Sequence, residues 1–506
     1  MRRFASVVII TMLSWPAAAE LPVLVYHDIV RAPGADEYAI TEQGFREQMA
    51  YLKRAGYRPL SLREVADIAA GRSRLPDKPV MLTFDDGLQS FRRTALPVLE
   101  EYGYPAVLSV VTGWLDGENI PASYAGRLMD WEDVRAVSRL PHVEILSHTH
   151  NLHHGVPANP QGNEAPASIT RRYDPATDRY ESEAAFRTRI RADLTRSAQR
   201  LRAETGRAPP GVSWPYGFHD RLLGEEADRL GMRWQLVLDE TPARTERFPW
   251  INRALLRSVK TLAAFEDALH FTRARRPLRF IEIELDEMAG RVPAEQEQWL
   301  SALLTRLQLL RVNAVVVNPF TRAGRQAFFR NESMPMRAEV LHRVLHQIRA
   351  RAGVGQILLR ISDAPGIMPA VSELARRHPY DGVILDGSFA NNADSALRAR
   401  FEYHRPGLRC GRFIITPSTA CDDFRVVPVE PGKARVPAEG GRESVYYLVR
   451  NRPDESGKRV IEALRSLGDD GARHYGLRDG EFLRDPANLR RVAIELARHS
   501  SAGARH

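Results

Sequence analysis

Short, wholly apolar runs separated by amphipathic stretches restrict the folds open to this chain more than any single residue does. LPVLVYHD (21–28), KPVMLTF (78–84), YPAVLSVVT (104–112) and VEILSH (143–148) are rich in β-branched residues and bounded by Pro, Gly or charge, the pattern of buried strands. Between the first two, TEQGFREQMAYLKRAG and LREVADIAAG carry apolar residues at helical spacing, and each ends in glycine as a helix C-cap does. The alternation is that of an α/β fold.

A second alternation begins after the basic stretch TRARRPLR (272–279). FIEIEL, NAVVVNPF, QILLRIS, DGVILDG, RFIITP and VYYLVR follow one another at intervals of about thirty residues, each trailed by a helical or loop segment. Recurring βα units argue for a parallel barrel or part of one, although a doubly wound sheet gives the same signal. A chain of 506 residues exceeds one ordinary core, so two domains are expected, 20–271 and 280–506. The Pro-, Asn- and Gly-rich segment 155–180 reads as a long irregular excursion between elements.

The first nineteen residues, MRRFASVVIITMLSWPAAA, read as a signal peptide: two arginines, an apolar run, then an A-x-A cleavage site. The apolar run is shorter than the about 20 residues that span a bilayer. Export follows, to the periplasm, and with no cysteine after the cleavage site a lipid anchor is not expected. In an oxidising compartment Cys410 and Cys421, the only cysteines, can close a small loop or stay as two buried thiols. The net charge of +9 is spread along the chain rather than clustered, so it is not a nucleic-acid footprint.

Three motifs carry chemistry. Asp85-Asp86-Gly87 directly follows the strand KPVMLTF; one carboxylate can bind a metal while its neighbour accepts a proton from water, although a bare DDG is also an ordinary turn. SHTHNLHHG (147–155) holds four histidines, His148, His150, His153 and His154, of the fifteen in the chain. One aspartate and two histidines leave room on a metal for water and a substrate carbonyl, so some of the four are bystanders. SWPYG (213–217) is a Pro/Gly turn whose Tyr216 can wall a groove, with a backbone N–H available to a developing oxyanion.

TFDDG, SHTHNLHH and WPYG resemble the first three motifs of the polysaccharide deacetylases of the NodB-homology type, metal-dependent enzymes that remove acetyl groups from glycans. With LPVLVYHDI, NPQGNEAPAS and RYESEAAFRTRIRADL added, the stretch from Leu21 to about Leu269 is similar to the periplasmic poly-β-1,6-N-acetyl-D-glucosamine N-deacetylases of the PgaB/HmsF type. The resemblance implies a circularly permuted (β/α) deacetylase barrel followed by a second (β/α) barrel-like domain. It implies Asp85 as general base, Asp86, His148 and His153 as ligands of a divalent metal (zinc, iron, cobalt or nickel), His27 as general acid, and the Tyr216 backbone as the oxyanion contact. Imidazole is the side chain suited to proton transfer near neutral pH. The commoner second motif has its second histidine four residues after the first; here Leu152 stands there and His153 follows at five, as in the narrower family. A competing register, His150 with His154, has helical spacing but lacks the Thr after its first histidine. The arginine often found before the Pro-Tyr of the third motif is missing.

LDEMAGRVPAEQEQWLSALLTRLQLLRVNAVVVNPF and HPYDGVILDG resemble the glycoside-hydrolase-like module of the same family. Where full members carry an aspartate pair, this chain has Gly387 and Ser388, with Asp386 one residue earlier. Asp386 with Asp286 or Asp363 can in principle supply two carboxylates, but the expectation is a domain that binds glycan or supports its neighbour. The activity implied is partial deacetylation of poly-β-1,6-N-acetyl-D-glucosamine for export and biofilm formation, with an outer-membrane porin as a possible partner. The alternatives are deacetylation of chitooligosaccharide or peptidoglycan, and a glycan-binding export module without turnover.

Overall fold

The structure, a computed structural model, describes residues 20–498 apart from 33, 240, 273–275, 378–379, 388, 390–392, 414–420, 432–443 and 451–456. The expected signal peptide lies outside the described residues. The chain divides into two compact units: one comprises residues up to 153, 192–218 and 227–274, the other 154–191, 219–226 and 275 onward.

The first unit is built on seven parallel strands that close on themselves: β1 (Val23–Tyr26), β2 (Pro79–Phe84), β3 (Ala106–Val110), β4 (Val143–Ser147), β5 (Gly211–Ser213), β6 (Trp234–Leu238) and β7 (Trp250–Leu255). Each pairs with the next, and β1 lies between β7 and β2, completing the ring. Helix α1 (Glu42–Arg54) starts at Thr41, whose side chain accepts from the Gly44 N–H. Helix α2 (Leu62–Ala69) starts with a reciprocal capping box between Ser61 and Glu64.

Strand alternation explains both the stability of this barrel and the position of its chemistry. Leu24, Tyr26, Val80, Leu82, Phe84 and Leu108 point outward and pack with helix residues such as Phe45, Met49 and Leu99. Their strand neighbours Val23, Met81, Val107, Leu146, Leu236 and Ile251 form the second cluster, inside the barrel. Burying each such side chain contributes about 1.5–3 kcal/mol. Two residues further along the same faces, the lining turns polar: Thr83 donates to the Leu24 carbonyl, and the Ser109 and Ser213 hydroxyls lie 2.6 Å apart. Two residues beyond Thr83 the same parity delivers Asp85 to the C-terminal rim.

The second unit holds a closed barrel of eight parallel strands: β8 (Arg279–Ile283), β9 (Ala314–Val317), β10 (Gln356–Ser362), β11 (Gly382–Asp386), β12 (Arg409–Phe413), β13 (Phe424–Val429), β14 (Val445–Val449) and β15 (His474–Arg478). The alternation therefore resolves to barrels in both units, not to a doubly wound sheet. The strand expected at RFIITP has its first two residues, Arg412 and Phe413, in β12, where buried Cys410 pairs with Val383 and is bonded to Cys421; residues 414–417 are outside the described set. The disulfide is thus formed, closing a loop of 11 residues' separation. Segment 155–180 carries two short antiparallel pairs, Gly155–Pro157 with Glu164–Pro166 and Tyr173–Asp174 with Arg179–Tyr180, within a largely irregular course.

Candidate active site

Asp85 ends the run of β2 with its backbone N–H donating to the Tyr26 carbonyl. Asp86 then adopts φ +76, which breaks the strand alternation, so that both carboxylates, rather than only one, turn toward the rim. Two more non-glycine residues with left-handed backbone lie in the other two motifs, Thr149 at φ +71 and Tyr216 at φ +59. Such conformations cost about 1–3 kcal/mol each and gather where a site imposes them. At Gly217, φ +74, a Cβ would sit 2.2 Å from the Leu238 side chain, so the third motif needs glycine there.

Asp86, His148 and His153 bring one ligand atom each to within 4.8 Å of one another. The Nε2 atoms of His148 and His153 lie 3.4 and 3.5 Å from Asp86 Oδ1, and all three side chains are largely buried. Asp86 Oδ1 has no hydrogen-bond partner among the described residues. Asp86 Oδ2 accepts from the Tyr124 hydroxyl at 2.8 Å. His148 Nδ1 donates to the Ser213 carbonyl at 2.7 Å, which leaves Nε2 with its lone pair facing Asp86. An orphaned, buried carboxylate oxygen, a second oxygen held by a donor and an imidazole oriented through its far nitrogen are what a divalent cation requires. The three residues fit a metal; the set does not select among zinc, iron, cobalt and nickel.

The electrostatics of the two histidines differ: burial works to lower His148, but Asp85 and Asp86 outweigh it and hold it above its usual value. Burial pushes His153 down to about 4, against the pull of Asp86, so its imidazole is neutral at pH 7 and has a lone pair to give. Burial works to raise Asp86, but the close approach of His148 and the neighbouring His153 and His27 outweigh it and hold the carboxyl well below its usual range. The His153 ring is flanked by Trp114 at 4.9 Å and Tyr216 at 4.6 Å between centroids. Tyr216 is 46% exposed, so it has a face for a ligand beside the cluster.

Asp85 is not part of the cluster, and its partner is not marked by any motif of the sequence. Arg253 on β7, 0% exposed, donates from Nη1 and Nη2 to the two Asp85 oxygens at 2.8 and 2.9 Å. Burial raises the Asp85 carboxyl, but Arg253 and then His148 outweigh it, so Asp85 stays ionised. The signal available was a lone arginine inside WINRAL, at an inward position of an apolar run. Tyr124, in a 3-10 turn (Ala122–Tyr124), also gave no sequence signal. His27 follows β1 on the inward face, 5.3 Å from the Tyr38 ring, and its charge bears on Asp85, Asp86 and His153.

The other two histidines lie elsewhere. His150 lies with Asp116 and Glu118, another group whose ligand atoms fall within 4.8 Å. There Arg200 and the Trp131 indole hold Asp116, and Arg196 holds Glu118, so the carboxylates are already neutralised. His154 belongs to the second unit, where Arg172, Arg189 and Glu164 surround it. The His150/His154 register has no support in this arrangement.

In the second barrel the same alternation takes Phe280 and Ile384 inward and puts Glu282 and Asp386 at the C-terminal end. Glu282, fully buried, accepts from Arg360 and from Arg478 Nε at 2.8 Å; Asp386 accepts from Arg360 Nε at 2.9 Å. Asp286 opens a short helix (Asp286–Ala289), and a Cβ on Gly387 would lie 2.5 Å from Asp363 Cβ. Ser388 lies outside the described residues.

Residues 72–234 match the polysaccharide deacetylase family and residues 282–358 match hypothetical glycosyl hydrolase family 13. The poly-beta-1,6-N-acetyl-D-glucosamine N-deacetylase of Escherichia coli K12 is 30% identical over 328 residues, 62% of this chain and 49% of that one. The chain thus spans about half the length of the curated relatives it first matches. Among solved structures, a de-N-acetylase from Aggregatibacter actinomycetemcomitans is 30% identical over 49% of this chain and 100% of its own, TM-score 0.46. The BpsB deacetylase domain from Bordetella bronchiseptica is 37% identical over 46% of this chain and 94% of its own, TM-score 0.42. With the matched segment running through all three motifs, residues 72–234 form a polysaccharide deacetylase domain.

Proposed function

We propose that this protein is an exported, metal-dependent N-deacetylase acting on poly-β-1,6-N-acetyl-D-glucosamine. The observation that carries the reading is the pairing of a cation-ready triad, Asp86, His148 and His153, with an ionised Asp85 anchored by Arg253 beside it. A divalent ion held by the triad would supply Lewis-acid polarisation of the acetamide carbonyl and lower the pKa of water. Asp85, fixed in orientation by two hydrogen bonds, accepts the proton of the attacking water. His27, on the same rim, returns a proton to the departing nitrogen. Water and amide become acetate and a glucosamine amine, and the product gains positive charge where the substrate had none. The Tyr216 backbone is assigned to the developing oxyanion and its exposed ring to a wall for a sugar.

The polymer assignment is supported by the E. coli relative's name and by the five-residue spacing from His148 to His153. Periplasmic location rests on the N-terminal sequence; among the described residues no helix is long and apolar enough to cross a membrane. An outer-membrane porin as partner is part of the same proposal. The second barrel is assigned to glycan binding or support, because arginines already occupy Glu282 and Asp386. The test is release of free amine from β-1,6-linked N-acetylglucosamine oligomers, with chitooligosaccharide as the comparison. Release is expected to stop with a chelator and in Asp85→Asn. Chelator-resistant release, or an unimpaired Asp85→Asn, rejects the mechanism, and a preference for chitooligosaccharide rejects the polymer.

A further inference from the structure

His150 does not reach the triad, yet it sits in the middle of the turn that brings His148 and His153 together. Asp193, on the helix Glu183–Thr205, accepts two consecutive backbone N–H groups on separate oxygens: His150 N at 2.9 Å and Asn151 N at 2.7 Å. On the other side, the His150 ring, 3% exposed, donates from Nε2 to Glu118 at 3.2 Å and meets Thr112 Oγ1 through Nδ1 at 2.9 Å. The backbones of the same two segments are joined as well, Thr112 N to the Thr149 carbonyl at 3.1 Å and Gly113 N to the His150 carbonyl at 3.0 Å. A Cβ on Gly113 would lie 2.4 Å from that carbonyl oxygen, so this approach is open only to glycine. Between these fixed points Thr149 holds φ +71, a conformation that a β-branched residue keeps only when its surroundings impose it.

We propose that Asp193 and His150 are positioning residues that clamp the 148–153 turn from two sides and thereby set the backbone course by which two histidines five residues apart converge on Asp86. Metal binding then finds its ligands already ordered and does not have to supply the cost of ordering the turn. Released from the clamp, the turn relaxes its left-handed residue and His153 no longer holds its place beside His148. The proposal rests on the metal reading above and assigns no bond to the ion from either residue.

The experiment titrates Zn2+ alone into the full chain and into Asp193→Asn and His150→Gln, using a competing chromophoric chelator. An asparagine replaces one acceptor with a donor, so one of the two backbone N–H groups loses its partner. Zn2+ affinity is expected to fall about tenfold to a hundredfold in Asp193→Asn, the range for groups that orient metal ligands, and by less in His150→Gln. In the metal-free chain, amide exchange at His150 and Asn151 is expected to speed up while the amides of β2 keep their protection, a change that a general loss of stability would not produce. If Asp193→Asn does not fold, His150→Gln decides by the same two measurements. Folded variants with Zn2+ affinity within about twofold of the parent's overturn the clamp. A parent that binds Zn2+ but releases no amine refutes the proposed function and leaves the clamp standing or falling on these affinities. A parent that binds no Zn2+ overturns both.

Discussion

Replacing Arg253 with methionine tests the central electrostatic feature of the site. The change removes two charge-assisted hydrogen bonds, of 2.8 and 2.9 Å, at a position with no exposure. The larger effect is on what remains: removing one partner of a buried ion pair costs about 3–5 kcal/mol, because the other charge is stranded. For a domain of this size that corresponds to a fall of about 6–20 °C in Tm. The pH dependence follows from the direction of the Asp85 shift. Burial raises its carboxyl and Arg253 more than offsets this, so the folded value lies below the unfolded one. The pair therefore contributes stability above the unfolded carboxyl's value of about 3.9, and the contribution is lost as pH falls through the lower folded value. In Arg253→Met burial loses its main opponent and the Asp85 carboxyl moves up. The acidic limb of kcat/KM for amine release then shifts to higher pH, since an ionised Asp85 is needed to accept the proton. Thermal denaturation at several pH values and the pH–rate profile measure the two effects. In an Asp85→Asn background the same substitution should cost less, and the double-mutant cycle isolates the pair. A variant within about 1 kcal/mol of the parent in both backgrounds, with an unmoved acidic limb, would refute the argument that Arg253 sets the charge of Asp85.

Other outcomes follow from single contacts. Tyr124→Phe removes the donor to Asp86 Oδ2 and is expected to weaken Zn2+ binding about tenfold by chelator competition, with the fold unchanged. Unaltered affinity removes Tyr124 from the site. Glu282→Gln removes the buried charge shared by Arg360 and part-exposed Arg478 while leaving Arg360 paired with Asp386, and should destabilise the second barrel by about 1–3 kcal/mol in urea denaturation. Reduction of the Cys410–Cys421 bond should cost about 3 kcal/mol on the chain-entropy estimate, read as a lower urea midpoint for the same unit.

The barrels were legible because their strands are short apolar runs that read alike wherever they stand. Those with mixed composition were not. GVS (Gly211–Ser213), WQLVL (Trp234–Leu238) and WINRAL (Trp250–Leu255) carry Ser, Gln, Asn and Arg among their apolar residues. Ser213 and Arg253 face the barrel interior, which period alone does not distinguish from solvent, while Gln235 and Asn252, on the other face, bond to Trp214 and Thr241.

The sequence by itself determined the α/β class, the three motifs and the family they resemble, and that resemblance implied His148 and His153 among four neighbours. All of these rest on residue type and spacing along the chain, which survive without coordinates. Only the tertiary structure decided that Arg253, 168 positions away, neutralises Asp85, that Tyr124 holds Asp86, and that His150 faces Glu118 and not the triad. Closing a barrel brings the ends of distant strands to one rim, and the energy of a buried charge depends on what lies within a few ångströms of it. That distance is set by the closure of the sheet, which no local stretch of sequence encodes.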